Sequence, residues 1–273
     1  MTKFDLQHDD CVAGMARLDE GSIDLIITSP PYNLGIAYGE YSDREERTSY
    51  LDWCEQWATA ARRVLKPDGS FFLNVGAVPS SPWLPYELIM RLQKLFALQN
   101  TIHWIKAITI EDESGASISR GHFKPINSPR YLNDCHEFVF HLTPAGRTPI
   151  DRLALGVPYQ DKSNIARWGH TGGKDQRCRG NTWFVPYQTI KSRHKQRPHP
   201  ATFPVQLAVN CIKLHGIARV ETMLDPFLGI GNSAVAAQEC GVPKFIGFEI
   251  DDVYVAEAKR RLATGARASS PAD

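Results

Sequence analysis

The 273-residue chain has no pair of cysteines at Cys-x-x-Cys spacing. Cys11, Cys54, Cys135, Cys178, Cys211 and Cys240 are scattered singly. That pattern supplies no zinc framework and is expected of reduced thiols in a cytoplasmic protein. Long apolar runs are missing as well, and none approaches the ~20 residues of a membrane-spanning helix. Met1-Thr2-Lys3-Phe4-Asp5 lacks the apolar core of a signal peptide. No membrane association is therefore expected. Nor is there an excess of either charge: 31 Lys and Arg face 30 Asp and Glu. Any nucleic-acid surface must come from local clustering. Internal repeats and low-complexity blocks are absent. The 42% of hydrophobic residues is enough for a substantial core. The length suits one large domain, or one domain with an insertion.

What is present alternates. Strands are expected at Phe4–His8, Ile23–Ile27, Ser70–Val75, Asn100–Ile105 and Glu137–Leu142. Helices are expected at Val12–Leu18, Ser49–Leu65 and Glu87–Leu98. In the second of these, Ser49 is a candidate cap, Leu51, Cys54, Trp57, Ala58, Ala61 and Leu65 form a stripe, and Lys66-Pro67-Asp68-Gly69 stops the helix. Further on, Val205–His215 reads as a helix and Val220–Leu224 as a strand. The alternation predicts an α/β protein with a doubly wound, mainly parallel sheet. The polar stretch Leu34–Thr48 is long for a plain connection and is expected to close over a substrate.

Between Thr143 and His199 the periodicity weakens. Lys174, Arg177, Arg179, Lys191, Arg193, Lys195 and Arg197 there face only Asp175, with Trp183, Phe184 and Tyr187 interleaved. Basic residues among aromatics suit a surface that holds phosphates and stacks bases. The expected organisation is a catalytic part at 1–142, a recognition insertion at 143–198 and a cofactor-binding part at 199–273.

Two turns carry chemistry. Thr28-Ser29-Pro30-Pro31-Tyr32 follows the apolar strand Ile23–Ile27. Two prolines forbid helix and ladder pairing, so the chain leaves the sheet in a stiff extended turn. Ser29 Oγ, the Pro30 carbonyl and the Tyr32 ring should then lie together at the strand's carboxyl end, where open α/β sheets bind ligands. Two acceptors beside an aromatic face suit an exocyclic amino group of a nucleobase. The second turn is Asp225-Pro226-Phe227-Leu228-Gly229-Ile230-Gly231-Asn232, between a strand and a helix ended by Gly241. Glycines let backbone approach a ligand at a helix N-terminus. The next strand, Lys244–Glu249, ends in an acid placed to hold ribose hydroxyls, and a helix then starts at Asp251 or Asp252. Ala234 stands where a dinucleotide fingerprint has its third glycine, which argues against a nicotinamide cofactor.

Together these turns resemble the amino-directed DNA methyltransferases, in the circularly permuted β-class arrangement. There a Ser/Asp-Pro-Pro-Tyr motif precedes an Asp-Pro-Phe-x-Gly-x-Gly motif. The resemblance spans nearly the whole chain. It implies a Rossmann-like methyltransferase fold, S-adenosylmethionine as cofactor with S-adenosylhomocysteine as product, no metal, and double-stranded DNA as substrate. Ser29, Pro30, Pro31 and Tyr32 match the catalytic motif. Asp225, Pro226, Phe227, Gly229, Gly231 and Asn232 match the cofactor loop, with Glu249 as the ribose acid and Ile250 beside it. Thr28, His199 and Phe203 are implied to line the cofactor pocket, and Asp10 to contact its adenine. Ile230 and Asn232 depart from the Ser and Thr common in the family. Ser at the first motif position is typical of cytosine-N4 enzymes, and Asp of adenine-N6 enzymes. The implied reaction is therefore N4 methylation of a flipped cytosine in site-specific DNA methylation or restriction-modification. The same reaction on adenine N6 is the alternative, and a nucleic-acid-binding module with a vestigial cofactor site is a third reading. A homodimer and a cognate restriction endonuclease are partners the resemblance allows.

Overall fold

The computed structural model describes residues 2–33, 44–121, 123, 126–186 and 202–264. An eight-stranded sheet runs in the order β1-β10-β9-β2-β3-β7-β4-β8. Its strands are β1 (Lys3–His8), β2 (Ile23–Thr28), β3 (Leu65–Val75), β4 (Ala97–Ile105), β7 (His136–Thr143), β8 (Thr182–Phe184), β9 (Thr222–Asp225) and β10 (Lys244–Glu249). Neighbours are parallel from β1 through β3, whereas β7 is antiparallel to both β3 and β4. β5 (Ala107–Glu111) and β6 (Ser117–Gly121) form a separate antiparallel hairpin.

The alternation of side chains divides the core between two faces. Leu25, Ile27 and Phe72 face α5 (Val205–His215) and α6 (Asn232–Glu239), and Ala258 of α7 (Asp252–Ala263) joins this cluster. Ile26, Phe71 and Leu73 face the other way, onto α1 (Cys11–Ala16), α2 (Arg47–Val64) and α3 (Leu84–Leu92). A short helix, α4 (Ser163–Arg167), lies outside both layers. Helices on both faces of a mainly parallel sheet make the doubly wound fold expected from the alternation. From β9 the chain winds through α6 to β10, and from β2 it winds the opposite way through α2 to β3. The strand order therefore reverses between β2 and β9, and that reversal is where such sheets bind ligands.

Several local expectations change. α2 starts at Arg47 and is capped by Glu46, whose carboxylate accepts from the Thr48 and Ser49 amides, so Ser49 lies inside the helix. Its buried stripe includes Tyr50, which is fully buried, while Leu51 is only partly covered. Lys66-Pro67-Asp68-Gly69 does not merely stop the helix. It belongs to β3, whose register with β2 shifts between Ile23 and Leu25 to absorb it. β8 lies within the 143–198 segment yet pairs with β4, so part of that segment completes the sheet. Trp183 is 2% exposed in this strand and serves the core rather than a base-stacking surface.

Candidate active site

The reversal point is clasped by Asp225, which is 1% exposed. Thr28 Oγ1 at the end of β2 donates to Asp225 Oδ1 at 2.6 Å, as does the Phe227 amide at 3.0 Å, and Ser233 Oγ donates to Oδ2. Burial pushes the Asp225 carboxyl up to about 6, against the lowering effect of these three donors. The clasp joins the two turns singled out in the sequence across 197 residues of chain.

Beyond it lies a cleft, open to solvent, lined by both turns. Ser29, Pro30, Pro31 and Tyr32 form one wall; Pro226, Phe227, Gly229, Asn232, Glu249 and Ile250 form the other, with Asp10 and Phe203. Thr28, Asp225 and Gly231 are not on its surface but shape it from behind. Gly231 has φ +81°, and a Cβ there would stand 2.8 Å from the Ala258 side chain. This glycine is required by its backbone conformation and by its contact with α7 rather than by space for a ligand. Tyr50 Oη donates to the Pro31 carbonyl at 2.7 Å, pinning the Pro-Pro turn to α2. Asn33, at φ +56°, exchanges two hydrogen bonds with the Glu45 backbone at 2.7 and 2.8 Å. That pair holds together the residues flanking the expected closing loop, most of which, 34–43, lies outside the described residues.

The residues expected on the cofactor side are held in place by local bonds. Glu249 accepts the Gly229 amide on Oε2 at 2.8 Å and the Asp251 amide on Oε1 at 3.1 Å. Burial raises its carboxyl above the usual range. Each oxygen keeps a lone pair for a further donor. Asp10 Oδ1 caps α1 by accepting from the Val12 and Ala13 amides, both at 2.9 Å. The Ile250 carbonyl accepts from His8 Nε2 at 2.9 Å. Asn232, one of the departures from the family pattern, donates to the Phe203 carbonyl and accepts from Arg261 Nη1. Its side chain therefore ties α7 to the segment carrying Phe203. Phe227 packs edge-on against Trp53 and Trp57, with centroids 5.6 and 5.5 Å away.

The structure also gathers residues not foreseen in the sequence. Trp53, Asn74, Glu137, Asp9 and Tyr254 line the same cleft. Ser29 Oγ lies 2.6 Å from Tyr32 Oη. Tyr32 Oη is in turn 3.2 Å from both the Asn74 carbonyl and Glu137 Oε2. Tyr32 thus contributes its hydroxyl as well as its ring face.

Lys174, Arg177 and Arg179 of the basic stretch are exposed, and Arg179 Nε donates to the Leu155 carbonyl at 3.0 Å. Tyr187, Lys191, Arg193, Lys195, Arg197 and His199 lie outside the described residues. Among the described residues, no three His, Cys, Asp or Glu side chains gather as a metal site would. No helix there is long and apolar enough to cross a membrane.

Residues 23–260 match the DNA methylase family N6_N4_Mtase. The chain is 28% identical over 271 residues to the type II methyltransferase M.ScaI of Streptomyces caespitosus, covering 96% of this chain and 82% of that protein. It is 25% identical over 260 residues to the DNA adenine methyltransferase YhdJ of Escherichia coli (strain K12), covering 93% and 81%. Its fold is similar to that of the PvuII DNA methyltransferase (cytosine-N4-specific), with a TM-score of 0.66 at 19% identity over 96% of this chain and 87% of that one.

Proposed function

The chain belongs to the N6/N4 family of DNA methylases, and on that premise we propose that it methylates the exocyclic N4 amino group of a cytosine flipped out of double-stranded DNA. S-adenosylmethionine is the methyl donor of this family. The cleft fits it: Glu249 has acceptor capacity for ribose hydroxyls, Asp9 and Asp10 stand at the end of β1, and Phe227 and Trp53 offer apolar faces. When bound, this cofactor supplies a methyl group already activated by a sulfonium, so the protein's task is alignment. Ser29 Oγ and the Pro30 carbonyl accept from the amino group and hold its nitrogen toward the cofactor side of the cleft. Tyr32 packs against the extruded base.

The observation that carries this reading is the placement of Ser29 and the cofactor-side residues around one cleft, behind one clasp at the sheet's reversal point. Serine at the first motif position and the fold shared with the PvuII enzyme favour cytosine. Similarity to YhdJ favours the second reading, the same chemistry on adenine N6. Lys174, Arg177, Arg179 and the basic residues that follow would hold DNA phosphates. The organisation into catalytic, recognition and cofactor parts at 1–142, 143–198 and 199–273 belongs to the same proposal. So do a homodimer and a partner endonuclease of the type II kind.

Incubating the protein with S-adenosylmethionine and mixed-sequence DNA, then analysing the nucleosides by mass spectrometry, tests the target base. N4-methylcytosine is expected. N6-methyladenine alone would replace the first reading with the second, and no methylated base would refute both.

A further inference from the structure

We propose that Glu137, acting through Tyr32, fixes Ser29 as a hydrogen-bond acceptor toward the target base, so that the site takes an amino group and rejects a carbonyl in the same place. The inference rests on the methyltransferase reading above but not on which base is methylated.

Antiparallel β7 lies between β3 and β4, and this brings Glu137 beside Asn74 and Lys106. Glu137 Oε1 accepts from Lys106 Nζ at 3.0 Å, and Oε2 accepts from Asn74 Nδ2 at 2.8 Å. A carboxylate can only accept. Tyr32 Oη has one hydrogen, and it faces Glu137 Oε2 and the Asn74 carbonyl, both acceptors, at 3.2 Å. Its hydrogen is committed to them. The 2.6 Å contact between Ser29 Oγ and Tyr32 Oη must then be filled by the serine's hydrogen. Ser29 is left with lone pairs, and no hydrogen, for a ligand in the cleft.

Two further observations agree. A Cβ at position 76 would stand 3.0 Å from the Tyr32 ring and 3.1 Å from Glu137 Cδ, so Gly76 leaves room for this contact. Asn74 lines the cleft, and its buried Oδ1 has no hydrogen-bond partner among the described residues. A buried acceptor in that state suits a ligand that brings donors. Cytosine N4 and adenine N6 carry donors, whereas guanine O6 and thymine O4 would set lone pair against lone pair.

Tyr32→Phe keeps the ring and removes the link; Glu137→Gln keeps the size and removes the charge. Each should lower the single-turnover rate at saturating DNA and cofactor roughly ten- to a hundredfold, the range for a hydrogen bond to a charged group. Cofactor Kd by calorimetry and DNA KM should stay within about twofold of wild type. The double variant should be no slower than the slower single, because both changes cut one chain. Wild-type rates in either variant, or effects that multiply, would overturn the proposal. If Glu137→Gln fails to fold, Tyr32→Phe decides alone, since it deletes one oxygen. N6-methyladenine as the wild-type product would change the base and leave this result standing. A wild type that methylates nothing would overturn both readings.

Discussion

Replacing Asp225 with asparagine tests the clasp between β2 and β9 through pH. Asparagine preserves shape and the acceptor that faces Thr28 and the Phe227 amide, and Ser233 can turn its hydroxyl to accept from the new amide. The carboxyl of Asp225 is raised from 3.8 to about 6 in the folded protein. A raised carboxyl contributes stability that is fully present below its unfolded value and is lost as pH rises through its folded value. The shift is about two units, so the whole effect is about 3 kcal/mol at 1.36 kcal/mol per unit. Only part of it falls in an accessible range. Between pH 8 and pH 5, the latter one unit below the folded value, the wild type should gain about 1.4 kcal/mol relative to Asp225→Asn. Comparing the two proteins matters because other groups pull the other way. Burial lowers His141 to about 3 and His215 to about 4, and both contact Ser70 Oγ. Their contribution is present above ~6.5 and is lost as pH falls, but it is common to both proteins and cancels. Urea unfolding of each at pH 5 and pH 8 gives the difference. A stability difference that is the same at both pH values would refute the assignment of Asp225 as a buried carboxylate under strain from desolvation.

Gly231→Val should destabilise by about 2 kcal/mol or more, because it combines φ +81° with a Cβ 2.8 Å from Ala258; thermal unfolding without cofactor should show the loss, and an unchanged Tm would mean the turn relaxes freely. Neutralising Arg177, Arg179, Arg193 and Arg197 together should weaken DNA binding and flatten its salt dependence, since fewer counterions are released; an unchanged slope would remove the stretch from the DNA surface. His215→Gln should reduce the loss of stability between pH 7 and pH 5, because glutamine has no site for the proton that His215 binds only after unfolding; an unaltered pH dependence would move that role elsewhere.

What was legible in the sequence was local. Two consecutive prolines after Ile23–Ile27 and the glycines around Phe227 constrain backbone directly, and both turns are where those residues demand. The parallel winding followed from alternation of apolar runs. Glu137 and Asn74 were not legible as site residues. Asn74 meets Tyr32 because β3 pairs alongside β2, and Glu137 because β7 enters the sheet antiparallel beside β3, across 42 and 105 residues. Periodicity identifies a strand but not its neighbours. Trp183 is not legible as a core residue, because nearby basic residues mask a single buried position in a three-residue strand. The β5–β6 hairpin carries a local signal of its own. Ile108 and Ile110 alternate with polar residues before Asp112-Glu113-Ser114-Gly115, where Asp112 accepts from the Ser114 and Ala116 amides and Gly115 takes φ +81°. Glu46 takes the cap of α2 in place of Ser49 because its carboxylate reaches the Thr48 and Ser49 amides, although glutamate is not among the residues favoured at that position.

The central claim is that Ser29 presents an amino group to a cofactor held across the reversal point. Single-turnover transfer from methyl-labelled S-adenosylmethionine to DNA, in wild type and Ser29→Ala, tests it most directly. Both prolines and the Tyr50 bond to Pro31 remain, so the turn should keep its shape. Removing one positioned polar contact at the reacting atom should slow transfer about a hundred- to a thousandfold. Cofactor affinity by calorimetry and DNA affinity should be unchanged. Wild-type transfer rates in folded Ser29→Ala would contradict the account.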